Sequence, residues 1–355
     1  MSINSENIQL LRKYLGKTQK QFSEDIGVSQ SVISKIEKGI NPIDIDLLKQ
    51  LSSKYGDSFF REENALPNLK VYYRKSNTAA KKYQDLFESR VSIFSKNILS
   101  ILEEVELSKN RLPSIDLNDF NLDASKLANE IRGHFNLGLT PIDDLVKLLE
   151  GLGIIIHFYE FPFISEQNKN FDGVSFYLKG IPVILINSKI QNARKNFTLA
   201  HELCHLLIHN DTIIEGFRDI EKEANVFASE FIAPTRAIRS DLFNLSFEKL
   251  FYLKNYWKLS VGALLYKAKD ISLNQYQYRR WVTRMAPYRK HEPQDINLEN
   301  PSLLKRMFDL YKHEFSNNNE NDFIKDLGIN ADIYGELYST IYPVIERKSK
   351  LKLIL

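Results

Sequence analysis

Apolar residues recur every three or four positions along most of the chain, the period of an amphipathic helix. Four such segments open it, at 6–15, 19–25, 30–38 and 43–55. Phe22, Ile26, Val28, Val32, Ile33 and Ile36 supply their apolar faces. Thr18 and Gln21 spell a capping box ahead of the second segment. Ser29 is a good N-cap for the third. Gly27 suits the tight turn between them, and Gly39 and Gly56 end the third and fourth. The helical period returns at 71–105, 123–136, 141–150, 193–209, 220–231 and 247–271. Residues 300–355 are helical and polar, with N-N-N-E-N marking a loop. Only one stretch reads differently. Short apolar runs at 153–158, 173–178 and 182–186 predict strands, the last two joined by Lys179-Gly180.

The helix at 193–209 carries His201-Glu202-Leu203-Cys204-His205, an H-E-x-x-H pattern. Positions i and i+4 lie on one helix face about one turn apart. Two imidazoles so spaced can bind one Zn²⁺, with the adjacent Glu202 as general base toward an activated water. Phe197, Ala200, Leu203, Leu206 and Leu207 are the apolar residues of this helix, and Asn210-Asp211 is its expected stop. Cys204 points about 100° away from His205 and reads as a small core residue. His209 lies one turn beyond His205 and reads as structural, since a hydrolase needs its fourth metal position open.

A third ligand is needed. Ile208 and Asp211 stand where a metzincin-type site would have Gly and His, so that route is closed. The helix at 220–231 offers Glu221 instead. Glu221 and Asn225 are i and i+4 and share a face, so Glu221 can bind the metal. Asn225 can then hydrogen-bond the far nitrogen of a ligand histidine. Glu223 is the competitor. It lies about 160° around the helix from Asn225 and is expected to face elsewhere.

The opening helices have the size and spacing of a DNA-reading helix-turn-helix, whose second helix enters the major groove. Gln30, Ser31, Ser34 and Lys35 are the residues expected to reach bases or phosphates. Gln19 can meet a phosphate at the N-terminus of the preceding helix. Cations and carboxylates nearly balance over this segment, so tight binding calls for a dimer or further contacts. The basic residues Arg74, Lys75, Lys81, Lys82 and Arg90 could supply backbone contacts, or form an ordinary solvated face.

The stretch T-Q-K-Q-F-S-E-D-I-G-V-S-Q-S-V-I-S-K-I-E-K-G, over 18–39, resembles the Xre/Cro family of helix-turn-helix regulators. Between about 141 and 234 four stretches resemble the ImmA/IrrE family of zinc peptidases. They are P-I-D-D-L-V-K-L-L-E-G-L-G-I, G-I-P-V-I-L-I-N, F-T-L-A-H-E-L-C-H-L-L-I-H and E-K-E-A-N-V-F-A-S-E-F-I-A-P. Many members of that family join the two domains in this order. The resemblance implies His201, His205 and Glu221 as zinc ligands and Glu202 as the catalytic acid and base. One departure is Cys204, where the family usually has Gly. The larger side chain crowds the packing behind the site but leaves the ligands intact. The segment L-K-N-Y-W-K-L-S-V-G-A-L-L-Y-K-A resembles the region after the peptidase core in longer members, with Trp257 and Tyr266 expected in its core.

The expected class is therefore α+β. Residues 1–60 form an all-α helix-turn-helix domain and 61–115 a helical connector. Residues 116–236 form the H-E-x-x-H zinc-peptidase domain with a small β-sheet. Residues 237–355 form a helical C-terminal region suited to a sensor or partner-binding role. With 43% hydrophobic and 26% charged residues over 355 positions, the chain reads as globular and soluble. Its single cysteine excludes an internal disulfide framework and fits a reducing cytoplasm. The start M-S-I-N-S-E-N lacks a secretory signal, and no apolar run is long enough for a bilayer. The expected partners are double-stranded DNA bound as a homodimer and a protein substrate, a repressor or toxin encoded nearby. The expected cofactor is Zn²⁺. The expected function is zinc-dependent cleavage of that partner, or of the chain itself, to switch gene expression. The alternative is a regulator or antitoxin whose zinc domain senses a ligand or partner with little or no proteolysis.

Overall fold

A computed structural model describes residues 5–61, 81–162, 172–209, 218–288 and 291–342. In chain order the helices are α1 (Ser5–Tyr14), α2 (Gln19–Ile26), α3 (Gln30–Glu37), α4 (Ile45–Tyr55), α5 (Lys81–Leu102), α6 (Ala124–His134), α7 (Leu145–Gly151) and α8 (Asn192–Ile208). They continue with α9 (Ile220–Ile232), α10 (Thr235–Ile238), α11 (Phe247–Trp257), α12 (Val261–Lys269), α13 (Gln275–Met285), α14 (Leu303–Phe315), α15 (Glu320–Asp326) and α16 (Ala331–Tyr338). Three strands, β1 (Ile155–Tyr159), β2 (Gly173–Leu178) and β3 (Ile181–Asn187), lie between α7 and α8. Arg74, Lys75 and the expected helix stop at Asn210-Asp211 fall outside the described residues, as does the chain beyond 342.

The fold divides into two compact units. The first combines α1–α5 with residues 304–342. Its opening helices are set by their caps. Thr18 and Gln21 form a reciprocal capping box at α2, and Gly27 closes that helix at φ 73°. The Ser29 side chain accepts from the Val32 amide at α3. Leu11, Phe22, Ile33, Leu51 and Phe59 are fully buried beneath them. The C-terminal helices pack into this same unit. The Asn97 amide donates to the Leu327 carbonyl at 2.8 Å, and the Tyr338 hydroxyl donates to Asn97 Oδ1 at 2.9 Å. Arg90 of α5 pairs with Glu336 at 3.1 Å and covers the Tyr14 ring, so its guanidinium serves the interior of the unit.

The chain from residue 304 onward belongs to the same compact unit as the opening helices. A close backbone approach makes this possible. The Ser58 amide donates to the Gly328 carbonyl at 2.8 Å. Gly56 and Gly328 both have positive φ, and a Cβ at Gly56 would collide with the Gly328 backbone.

The second unit holds residues 106–303 in its described part. Its sheet has strand order β1-β3-β2, with β1 parallel and β2 antiparallel to β3. Every residue of β1 is buried. Helices α8 and α9 pack together, α8 lies on β2 and β3, and α6 packs on α9. Gly173 opens β2 where a side chain would strike Thr198 of α8, so the strand can run close beneath that helix. Trp257 is buried as expected, but Tyr266 is 62% exposed. On α12 the inward face is taken by Val261, Leu264, Leu265 and Ala268, which leaves Tyr266 on the outer one. Among the described residues no helix is long and apolar enough to cross a membrane.

Candidate metal centre

Helix α8 is fixed at its N-terminal end before it presents any chemistry. Asp295 accepts from the backbone amides of Asn192 and Ala193 at 2.7 and 3.2 Å, at the end where the dipole favours an anion. Its apolar side, including Leu199, Leu203 and Cys204, is fully buried. Cys204 is a core residue, and burial pushes its thiol pKa well up, which keeps it protonated and inert. The remaining face turns His201 and His205 toward α9, their Nε2 atoms 3.1 Å apart.

On α9 the buried Ala224, Phe227, Ala228 and Phe231 form the packed stripe. Glu221 and Asn225 lie on one flank of it. Glu221 oxygens stand 3.6 Å from His201 Nε2 and 3.6 Å from His205 Nε2. One donor atom from each of the three residues falls in a group no wider than 4.8 Å. Asn225 Oδ1 lies 3.2 Å from His201 Nδ1. An amide oxygen only accepts, so the His201 proton sits on Nδ1 and Nε2 is left with a lone pair. Two imidazole nitrogens and a carboxylate facing one another are what a borderline-soft divalent cation binds. The residues therefore fit such an ion.

Glu202 meets the sheet. The Ser175 hydroxyl of β2 donates to Glu202 Oε2 at 2.7 Å. Burial pushes the Glu202 carboxyl up to about 7, against the opposing pull of His201 and of Ser175. Burial holds the His205 pKa well below the usual imidazole value, reinforced by the neighbouring His201 and His209. Burial pulls in the same direction at His201, but Glu221, Glu202 and Asn225 outweigh it and its pKa rises.

Three features escaped the sequence. Ser175 is a single hydroxyl in an apolar strand, and only the placement of β2 under α8 reveals its partner. The partners of His209 also had no sequence signature: its Nδ1 lies 2.8 Å from His205 Nδ1, and its Nε2 lies 2.9 Å from Glu223 Oε2. Glu223 does leave the Glu221 flank, yet it still faces α8, on the far side of the Ala224 stripe. The signal for His209 itself was present, because it continues the His201, His205 face by another four residues.

The helix-turn-helix residues are arranged less tightly. Gln30, Ser31 and Lys35 are exposed on α3, and Ser34 is half-buried. The Gln19 side-chain amide donates to Glu37 Oε2 at 2.9 Å, and Glu37 also takes two hydrogen bonds from Arg12. That pairing holds Gln19 at the junction of α2 and α3. Its backbone amide remains at the start of α2.

Comparison with known families agrees with this geometry. Residues 8–58 match the helix-turn-helix family model. Residues 155–269 match the peptidase family described as the IrrE N-terminal-like domain, a span that runs from β1 through α12 and includes the His-His-Glu group. No curated protein matches the chain. One chain thus carries a helix-turn-helix domain, which suggests a DNA-binding regulator, and a metallopeptidase-type domain, whose family implies a metal cofactor.

Proposed function

We propose that this protein is a cytoplasmic transcriptional regulator that binds double-stranded DNA as a homodimer and switches gene expression by zinc-dependent endoproteolysis of a partner protein. The partner is a repressor or toxin encoded nearby. The observation that carries this reading is the meeting of His201, His205 and Glu221 beside a buried, hydroxyl-bonded Glu202.

In this reading His201, His205 and Glu221 hold the zinc. When bound, the ion supplies Lewis acidity, which lowers the pKa of water and polarises a scissile carbonyl. Glu202 takes the proton of the attacking water and returns it to the leaving amine. Ser175 fixes the orientation of that carboxylate. Asn225 holds the His201 ring with Nε2 outward. We assign the substrate backbone to β2, which carries Ser175 and, among the described strands, pairs only with β3. Gln30, Ser31, Ser34 and Lys35 face the operator, and Gln19 contributes its backbone amide to a phosphate.

The variant Glu202→Gln tests the reading. It keeps size and removes the base. Zinc content and operator occupancy are expected to stay as in the wild type. Partner cleavage is expected to fall by about 10²–10⁴-fold, and the controlled promoter to remain uninduced. Normal induction in cells carrying this variant would sink the proteolytic switch and leave a zinc-dependent sensor in its place.

A further inference from the structure

Beyond the three ligands, α8 and α9 share a second line of polar groups. It starts at His205, whose Nδ1 lies 2.8 Å from His209 Nδ1. It continues from His209 Nε2 to Glu223 Oε2 at 2.9 Å. It ends on Arg218, which donates from Nε to Oε1 at 3.1 Å and from Nη2 to Oε2 at 2.7 Å. The line is shielded from water throughout. Side-chain exposure is 4% at His205, 0% at His209, 15% at Glu223 and 9% at Arg218.

Such a line has a direction, and chemistry sets it. Glu223 accepts only, so the proton between it and His209 sits on His209 Nε2. A neutral His209 then has a bare Nδ1, which accepts. His205 must therefore carry its proton on Nδ1 and present a bare Nε2 to the place where His201 Nε2 and Glu221 converge. Reversing His205 alone would set two lone pairs face to face at 2.8 Å, and reversing both rings would set a lone pair of His209 against the Glu223 carboxylate at 2.9 Å, each in a buried site. Each ring fixes the tautomer of the next, and the anion at the end is pinned by a two-pronged guanidinium.

We infer that His209, Glu223 and Arg218 are positioning residues that lock His205 in its metal-binding tautomer and orientation. This rests on the zinc reading above. It divides the two acids of α9: Glu221 touches the metal, whereas Glu223 acts on it through two imidazoles. It also gives His201 and His205 different supports, an amide for the first and a charged line for the second. A ligand histidine that donates its far N–H toward a carboxylate becomes a stronger base toward the metal, and removing such a support costs about 10–100-fold in affinity.

The test measures zinc affinity of the purified full chain by competition with a chromophoric chelator, with thermal melting followed alongside. His209→Phe keeps a ring of similar size and removes the acceptor. It is expected to weaken zinc by about 10–100-fold. Glu223→Gln is close to isosteric and is the second variant, which keeps the test open should the ring replacement fail to fold. It is expected to weaken zinc to a smaller but measurable extent. Because the groups act in series, the double variant is expected to be no weaker than His209→Phe alone. The spectroscopic signature is a slowly exchanging Nδ1–H proton of His205 in ¹⁵N-histidine spectra of the zinc-loaded wild type, lost in His209→Phe. Wild-type zinc affinity, within about twofold, in folded Glu223→Gln, or retention of this proton in folded His209→Phe, would overturn the inference while leaving the three-ligand site standing. Failure of the wild type itself to bind zinc would remove the site, and with it the inference.

Discussion

The two ends of α9 solve the same problem in opposite ways. At its C-terminal end Glu230 is buried, and the chain supplies its counter-charge. Lys267 pairs with it at 3.0 Å, Thr235 donates from both amide and hydroxyl, and Asn129 adds a longer bond. Arg132 lies close by and donates to the Phe231 carbonyl. Burial alone would raise the Glu230 pKa, but Lys267 and Thr235 more than offset it and hold the carboxyl below its usual range. At the N-terminal end Glu221 meets two imidazole nitrogens instead. The first end is closed and structural. The second sets a carboxylate against two imidazole nitrogens, a group of donors that fits a divalent cation. A buried carboxylate is thus a poor marker of function by itself, and the charge of what surrounds it is the better one.

The largest expected effects break the open end. His201→Ala or His205→Ala is expected to abolish zinc binding, from about one zinc per chain in the wild type. Glu221→Ala is expected to lose far more affinity than Glu223→Ala. Metal content by elemental analysis checks this, and equal losses at the two acids would erase the distinction between them.

The closed end is expected to respond in stability rather than in metal. Lys267→Met leaves Glu230 buried without its main cation and is expected to cost about 3–5 kcal/mol. Zinc affinity should be nearly unchanged. The same pair gives a pH dependence. The folded Glu230 pKa lies below its unfolded value, so its stabilisation is present above the unfolded carboxylate pKa. It is lost as pH falls through the folded one. Denaturant midpoints measured from neutral to acid pH should therefore fall less steeply in Glu230→Gln than in the wild type. Parallel curves would show that this end of α9 contributes nothing to acid stability.

The contrast also explains what could be read without a structure. His201, His205, Glu221 and Asn225 follow from helix geometry alone, because i and i+4 positions share a face. The caps at Thr18, Ser29 and Gly27 follow from local backbone chemistry. The supports of the site do not. Ser175 meets Glu202 only because β2 runs under α8, and Glu223 meets His209 only because of how α8 and α9 cross. Neither the strand placement nor the crossing has a period in the sequence. The packing of α14–α16 with the helix-turn-helix unit is likewise a tertiary fact. Its best local trace is a pair of glycines, Gly56 and Gly328, far apart along the chain.

The reading helix sharpens the comparison from a third side. On α3 the chemistry is exposed, and no buried donor set fixes its partner. Each contact should then be worth little alone, about 1–3 kcal/mol of discrimination per well-made base contact. Gln30→Ala and Ser34→Ala are expected to relax preference among operator sequences. Ser34, being half-buried, should show the smaller change, unless DNA reaches into the α3 surface. Lys35→Ala is expected to lower affinity about equally for all sequences and to flatten the salt dependence by about one unit, as the loss of a phosphate contact would. Binding titrations on operator and scrambled DNA at several salt concentrations separate the two outcomes. The nearly balanced charge of residues 1–60 makes the salt slope the more telling number, because few phosphates are neutralised per protomer and each lost contact is a visible fraction of the whole. If none of the three substitutions changes either quantity, α3 does not read DNA. The first unit would then be a protein-docking module.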